Sequence, residues 1–115
     1  MKKTTVTMSN RNRRLCEMKA EIFAAAGHPI RLAIIEFLRD GPKCVCEIAQ
    51  YVGAEQSNVS RHLGVMLQAG LVTHEKQGLK MIYSLKTPCI LGFLECVTNM
   101  LRQQAEETQA VLKSL

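Results

Sequence analysis

Apolar residues recur at helical intervals through most of the chain and at every second position in one short stretch, and this change of period sets out the elements. Leu15, Met18, Ile22 and Ala25 or Ala26 predict a first helix over residues 14–26, with Gly27 as its stop. Pro29, suited to a first helical turn, opens a second in which Leu32, Ile35 and Leu38, or Ala33 and Phe37, repeat until Gly41-Pro42 ends it. A short third helix is expected over residues 44–51, closed by Gly53. A fourth follows over residues 56–69, with Val59, Leu63, Met66 and Leu67 inward and Gly70 as its stop. The period then switches. Residues 71–76 and 80–85 read as two strands joined around Gln77-Gly78-Leu79, and Met81, Tyr83 and Leu85 alternate with polar or exposed positions in the second. Pro88 opens a last helix whose apolar stripe runs through Cys89, Phe93, Cys96, Val97, Met100 and Leu101, and more weakly to Val111 and Leu115. Residues 1–13 are polar and basic without period and read as a flexible arm ahead of one domain over residues 14–115.

The order of these parts carries more information than any one of them. Two short helices joined by a few residues, CVCEIAQYVGAEQSNVSRHLGVMLQAG, lead directly into a hairpin. That is the pattern of a winged helix-turn-helix: mainly α with a small β-hairpin, the hairpin lying between the fourth and fifth helices. In such a pair the second helix lies in the major groove of double-stranded DNA. Its exposed face here carries Gln56, Ser57, Asn58, Ser60, Arg61 and His62, and the hairpin is flanked by Lys76 and Lys80, which can straddle a neighbouring groove. Arg61 suits a guanine or a phosphate, and Gln56 an adenine. A merely solvated polar face is the alternative. His74, like His62, is read as DNA-facing or solvated rather than as a ligand, and His28 as a turn residue.

Charge supports the nucleic-acid reading only along part of the chain. The net charge of +5 resides in the first 14 residues, where Lys2, Lys3, Arg11, Arg13 and Arg14 precede the first acid, Glu17. Residues 55–86 add a mild local excess, with Arg61, Lys76, Lys80 and Lys86 set against Glu55 and Glu75. Hydrophobic content of 47% with only 4% aromatics and no Trp predicts a folded domain with an aliphatic core. At 115 residues such a domain gains burial by dimerising. No apolar run reaches the roughly 18 residues of a membrane span, and the basic N-terminus lacks the apolar stretch of a signal peptide, so a cytoplasmic protein is expected. No Ser/His/Asp set, carboxylate pair or phosphate loop points to an enzyme, and no organic cofactor is implied.

Five cysteines in a chain without an export signal are expected to be reduced, which favours metal binding or redox sensing over a disulfide framework. Cys44 and Cys46 stand at the start of the third helix, where Cys44 takes the Ser/Thr place of a capping box completed by Glu47. Cysteine is a poor cap, which suggests a chemical reason for its position. Inside a regular helix, residues two apart point about 200° from one another and cannot share an ion. An N-cap residue has extended backbone angles, so Cys44 can swing over the helix end while Cys46 occupies the first turn. The free N–H groups there favour thiolates, and soft thiolates select As(III), Cd, Pb, Zn or Cu(I) over hard cations.

GHPIRLAIIEFL, KCVCEIAQ, QSNVSRHLGVMLQAGLV and QGLKMIYSL, in that order, resemble the ArsR/SmtB family of metal- and metalloid-responsive repressors across residues 20–86. The resemblance implies a homodimer joined through its first and last helices, bound to a palindromic operator and released by a ligand. In the branch that senses arsenite, antimonite, cadmium or lead it implies that Cys44 and Cys46 are ligands. The chain departs from the arsenite sensors that carry a third cysteine on the same helix, because that place is Ala49. Cys16 resembles the N-terminal cysteine that cadmium and lead sensors donate from the other subunit, and Cys89 and Cys96 are further candidates. The last two lie about 10 Å apart along one helix and cannot jointly hold one ion. Both also suit small apolar residues packed in a dimer seam.

The expected function is therefore a homodimeric repressor induced by As(III)/Sb(III) or by a soft divalent metal (Cd, Pb, Zn). The rival is a thiol redox switch of the same fold working through disulfide or persulfide, and a repressor whose ligand site has decayed is a third reading.

Overall fold

In the computed structural model, which describes residues 5–115, Ser9 rather than Arg14 sets the start of the first helix. Helix α1, Asn10–Ala26, begins where the Ser9 hydroxyl accepts the Asn12 N–H at 3.1 Å. The arm expected over residues 1–13 is thus helical from Asn10, and Arg11, Arg13 and Arg14 stand on the first turns of α1. Residues 1–4, with Lys2 and Lys3, lie outside the described residues.

Helix α2, Pro29–Phe37, starts on Pro29 with His28 as its cap, the His28 Nδ1 accepting the Ile30 N–H at 3.1 Å. It tightens into a 3₁₀ turn, Leu38–Asp40, before Gly41. Strand β1, Lys43–Cys44, leads straight into α3, Val45–Val52, and α4, Gln56–Ala69, follows a three-residue turn. That turn needs Gly53: it adopts φ 69° and ψ 39°, left-handed values that cost an L-residue about 1–2 kcal/mol, and its N–H bonds back to the Ala49 carbonyl. Helix α4 ends as expected, with the Gly70 and Leu71 N–H groups returning to the carbonyls of Leu67 and Met66. Strands β2, Val72–Gln77, and β3, Lys80–Leu85, form the wing, and α5, Ile90–Lys113, closes the chain.

The sheet has three strands, not two. Its order is β1-β3-β2, all antiparallel, with Lys43 opposite Tyr83 and Cys44 opposite Ile82. A two-residue strand is too short to show alternation, which is why periodicity missed it. Its consequence is to tie Cys44 to the middle of β3, in the wing.

The core is aliphatic, as the composition predicted: Ile34, Ile35, Ile48, Val59, Leu63, Met66, Leu71 and Val72 are fully buried. These side chains lock α2, α3, α4 and the base of the wing together, each contributing about 1.5–3 kcal/mol by leaving water. Helices α1 and α5 contribute little to it. Only Ala25 and Ala26 of α1 are buried and no residue of α5 is, while Leu15, Met18, Ile22, Phe23, Phe93, Met100 and Leu101 stay exposed. The radius of gyration, 19.2 Å, exceeds the about 13 Å of a compact chain of this length, because those helices extend a flat body of 69 × 51 × 21 Å. No helix among the described residues is long and apolar enough to cross a membrane.

Candidate functional site

Cys44 occupies two structural roles at once. It is the last residue of β1 and the N-cap of α3, with extended angles of φ −80° and ψ 162°. Glu47 Oε1 accepts its N–H at 3.1 Å, and the Glu47 N–H faces the Cys44 sulfur to complete the box, sulfur being a weaker acceptor than the usual hydroxyl. The Cys44 N–H holds the Glu47 carboxyl below its ordinary range.

This geometry brings the two thiols of the pair together. Cys46 is exposed on the first turn of α3, next to Cys44, which is only 3% exposed. The neighbouring Cys46 thiol first, and burial second, push the Cys44 thiol above its ordinary range, against the pull of the Glu47 N–H. Both cysteines line a cleft of about 290 Å³ between α3, the first half of α4 and the wing turn. Gln56, Ser60 and Lys80 line it too, together with Val45, Leu79 and Met81.

The remaining cysteines are not brought to this cleft. Cys16 is exposed on α1, Cys96 on α5, and Cys89 at the N-cap of α5 beside Phe23 and Phe93. Neither Cys89 nor Cys96 is packed in the core of the single chain. Among the described residues no group of three or more His, Cys, Asp or Glu side chains gathers where it could hold a metal ion. Two soft thiols fit a thiophilic element of low coordination number, whereas the four ligands that structural zinc requires are not gathered among the described residues.

On α4 most of the face expected to be exposed is so. Gln56, Ser57, Ser60 and Arg61 are exposed, and the half-buried Asn58 accepts the Arg61 Nη2 at 2.8 Å, fixing the guanidinium fork before any DNA arrives. Lys76 and Lys80 are exposed on the wing, and the pairing of Lys76 with Met81 and of Gln77 with Lys80 puts the two cations on opposite faces of the hairpin. His74 lies against Tyr83, ring centroids 5.4 Å apart.

His62 departs from the expectation. It is half-buried, its Nδ1 accepts the Arg31 Nε at 3.0 Å, and its ring rests 4.5 Å from that of His28. Arg31 also donates to the Ala25 carbonyl at 3.2 Å, so one guanidinium binds the end of α1 to the middle of α4. His62 is thereby part of an internal clamp. The sequence held no local signal for Arg31, which stands 31 positions from its partner.

Burial first, and then His28, Arg31 and Arg61, hold the His62 imidazole below its ordinary value. The unfolded chain, with an imidazole near pH 6.5, therefore takes up a proton before the folded chain does. Stability from this site is complete above about pH 6.5 and is lost as the pH falls below it. His62→Gln, whose amide oxygen can accept the same Arg31 bond without titrating, is expected to shrink the difference between urea midpoints measured at pH 7.5 and 5.5. Equal differences in wild type and variant would remove His62 from the acid response.

Residues 28–74, from the cap of α2 to the middle of β2, match the family described as bacterial regulatory protein, arsR family. An uncharacterized HTH-type transcriptional regulator of Mycobacterium tuberculosis is 37% identical over 102 residues, covering 88% of this chain and 90% of that one. Its crystal structure superposes with a TM-score of 0.71 at 36% identity, over 81% of this chain and 94% of that chain. The arsenical resistance operon repressor of Escherichia coli is 27% identical over 96 residues, covering 83% of this chain and 82% of that one. A homodimeric winged helix-turn-helix DNA-binding domain from Mycobacterium bovis, a possible ArsR-family regulator, has the same fold, with a TM-score of 0.75 at 22% identity over 90% and 95% of the two chains. Likeness to the M. tuberculosis regulator along nearly the whole of both sequences, on the same winged helix-turn-helix, means that this chain belongs to the arsR family and is a DNA-binding transcriptional regulator, not an enzyme.

Proposed function

We propose that the protein is a homodimeric repressor in the cytoplasm, which grips double-stranded operator DNA with α4 and the wing and lets go when arsenite or antimonite occupies Cys44 and Cys46. The observation that carries this reading is the shared cleft, which Cys44 and Cys46 line together with Gln56 and Ser60 of α4 and Lys80 of the wing. An inducer held there sits against the groups that read DNA. A coupling of about 1–3 kcal/mol between the two sites would change operator affinity by roughly 5- to 150-fold.

The dimer rests on the exposed apolar faces of α1 and α5, which a second copy would cover, and on the homodimeric M. bovis relative. Arsenite is favoured by the two-thiol donor set and by the E. coli repressor of arsenical resistance among the relatives. A Cd, Pb or Zn inducer needs further donors, which the second subunit would supply; Cys16 is the first candidate, with Cys89 and Cys96 behind it.

The test is the fluorescence anisotropy of labelled operator DNA with reduced protein, titrated separately with As(III), Cd(II), Pb(II) and Zn(II). Release by As(III) that is lost in Cys44→Ser with Cys46→Ser is expected. Release by divalent ions alone would transfer the assignment to a shared-subunit site. Two free thiols on one cleft also favour a second reading, in which oxidant or persulfide releases the DNA and dithiothreitol restores binding. Loss of DNA on oxidation, with no response to any of the four ions, would establish it.

A further inference from the structure

One guanidinium links the recognition helix to the end of α1, and the bond that makes the link exists in a single protonation state. Arg31, half-buried on α2, donates through Nε to His62 Nδ1 on α4 at 3.0 Å and through Nη1 to the Ala25 carbonyl at 3.2 Å. Ala25 and Ala26 are the buried residues of α1, so this is where α1 is seated on the core. The His28 ring, whose Nδ1 caps α2, lies 4.5 Å from that of His62 on the same spot.

An arginine is always charged and has no acceptor, so it can bond to His62 Nδ1 only while that nitrogen keeps its lone pair and the ring proton sits on Nε2. A second proton turns Nδ1 into a donor, sets N–H against N–H and replaces the hydrogen bond with two apposed cations. The charged and titratable groups that act on the ring are His28 and Arg31, from α2 and its cap, and Arg61 from α4 itself. Among the described residues no carboxylate of α1, α3 or the wing, which also pack on α4, is set against it. The added charge thus meets only basic neighbours. We propose that Arg31 and His62 are positioning residues that form a proton-sensitive lock between α4 and α1, so that operator DNA is held while the imidazole is neutral and released as it takes up a proton. Burial first, and then the three basic neighbours, hold the imidazole below its ordinary value, so the locked form is the deprotonated one. The lock is complete above about pH 6.5, where a free imidazole titrates, and is drawn open as the pH falls below that. One proton per chain limits the loss of affinity to about tenfold per pH unit for each subunit.

This inference rests on the reading of α4 as the helix that grips operator DNA and is independent of the inducer. The test uses the full-length reduced protein and a duplex that the wild type selects from a random-sequence pool at pH 7.5. Anisotropy is measured at pH 7.5 and 5.5, with sedimentation and circular dichroism on every sample. His62→Gln keeps an acceptor for Arg31 that does not titrate. The ratio of wild-type to His62→Gln affinity is expected to be about fivefold or more lower at pH 5.5 than at pH 7.5, the low end of ordinary coupling between sites. His28 and His74 are present in both proteins, so their general attraction for DNA at low pH cancels in that ratio. Arg31→Lys keeps the charge but lacks the fork that spans both acceptors. It should bind the duplex about fivefold more weakly at pH 7.5 with an unchanged salt slope, and it should lose the wild-type pH response. Should Arg31→Lys not fold, the His62→Gln comparison decides alone. Equal pH dependence in wild type and His62→Gln would overturn the lock, as would Arg31→Lys that binds as tightly as the wild type. Binding that strengthens in acid and loses this response in His62→Gln would also overturn it, and would make His62 a phosphate contact. Selection of no duplex at pH 7.5 would overturn the operator reading, and the lock with it.

Discussion

Met100→Glu combined with Leu101→Glu is expected to yield a folded monomer that binds operator DNA roughly a hundred- to ten-thousandfold more weakly than the native protein. Both side chains are more than half exposed, at 51% and 57%, on a helix with no buried residue, so charging them removes nothing from the core. What they lose is a partner surface. Leu15, Met18, Ile22 and Phe23 of α1 remain exposed in the single chain, and Phe23 meets Phe93 of α5 edge-on at 5.7 Å, so the two helices present one apolar face. Two acids per subunit set against that face, and against their own copies across a two-fold axis, would desolvate unpaired charge. A lone subunit has one recognition helix. The second contact with a palindrome then no longer occurs within an already bound complex, and this is the source of the predicted loss. Sedimentation, circular dichroism and anisotropy on one preparation check the three parts. A dimer that survives both charges would place the interface elsewhere.

Arg61→Ala should have the next largest effect, about 1–3 kcal/mol for each recognition helix and therefore counted twice in a symmetric complex. Arg61 is exposed and its fork is already aligned by Asn58, so little side-chain entropy remains to be lost on binding. The variant also separates two roles. If Arg61 reads guanine, loss of affinity is confined to operators that carry the base, and Arg61→Lys does not restore discrimination. If it holds phosphate, affinity falls on all sequences alike, the salt slope drops by about one per contact, and Lys largely restores binding.

How much of this was legible in the sequence depends on the range of the interaction. The helix-turn-helix, its polar face and the wing follow from local period and from glycine stops, which is why α4 runs from Gln56 to Ala69 as its apolar positions predict. The thiol pair at a helix start was equally local. The start of α1 was misplaced because periodicity sees the first apolar residue, Leu15, whereas the helix is nucleated by the polar cap Ser9. Strand β1 escaped because two residues have no period, and its pairing with β3 joins positions far apart in the chain. The internal partners of His62 were hidden for the same reason: its neighbours in sequence are polar and exposed, while Arg31 and His28 belong to α2 and its cap. The cleft itself is a tertiary product of three elements, so Leu79 and Met81 carried no sign in the sequence that they would line it together with a cysteine pair.

The long final helix has one more consequence, for the life of the molecule in a cell. Helix α5 spans Ile90–Lys113, and beyond Ile90, Leu91 and Leu94, which pack partly on the core, its apolar side chains stay uncovered within the subunit, so in the proposed dimer an unpaired chain would show quality-control proteases an apolar strip that a paired chain would hide. Turnover would then fall on orphan subunits and spare assembled ones. The pool that meets the operator would be edited toward complete repressors, and the threshold for silencing would follow the rate of synthesis more steeply than one-to-one binding allows.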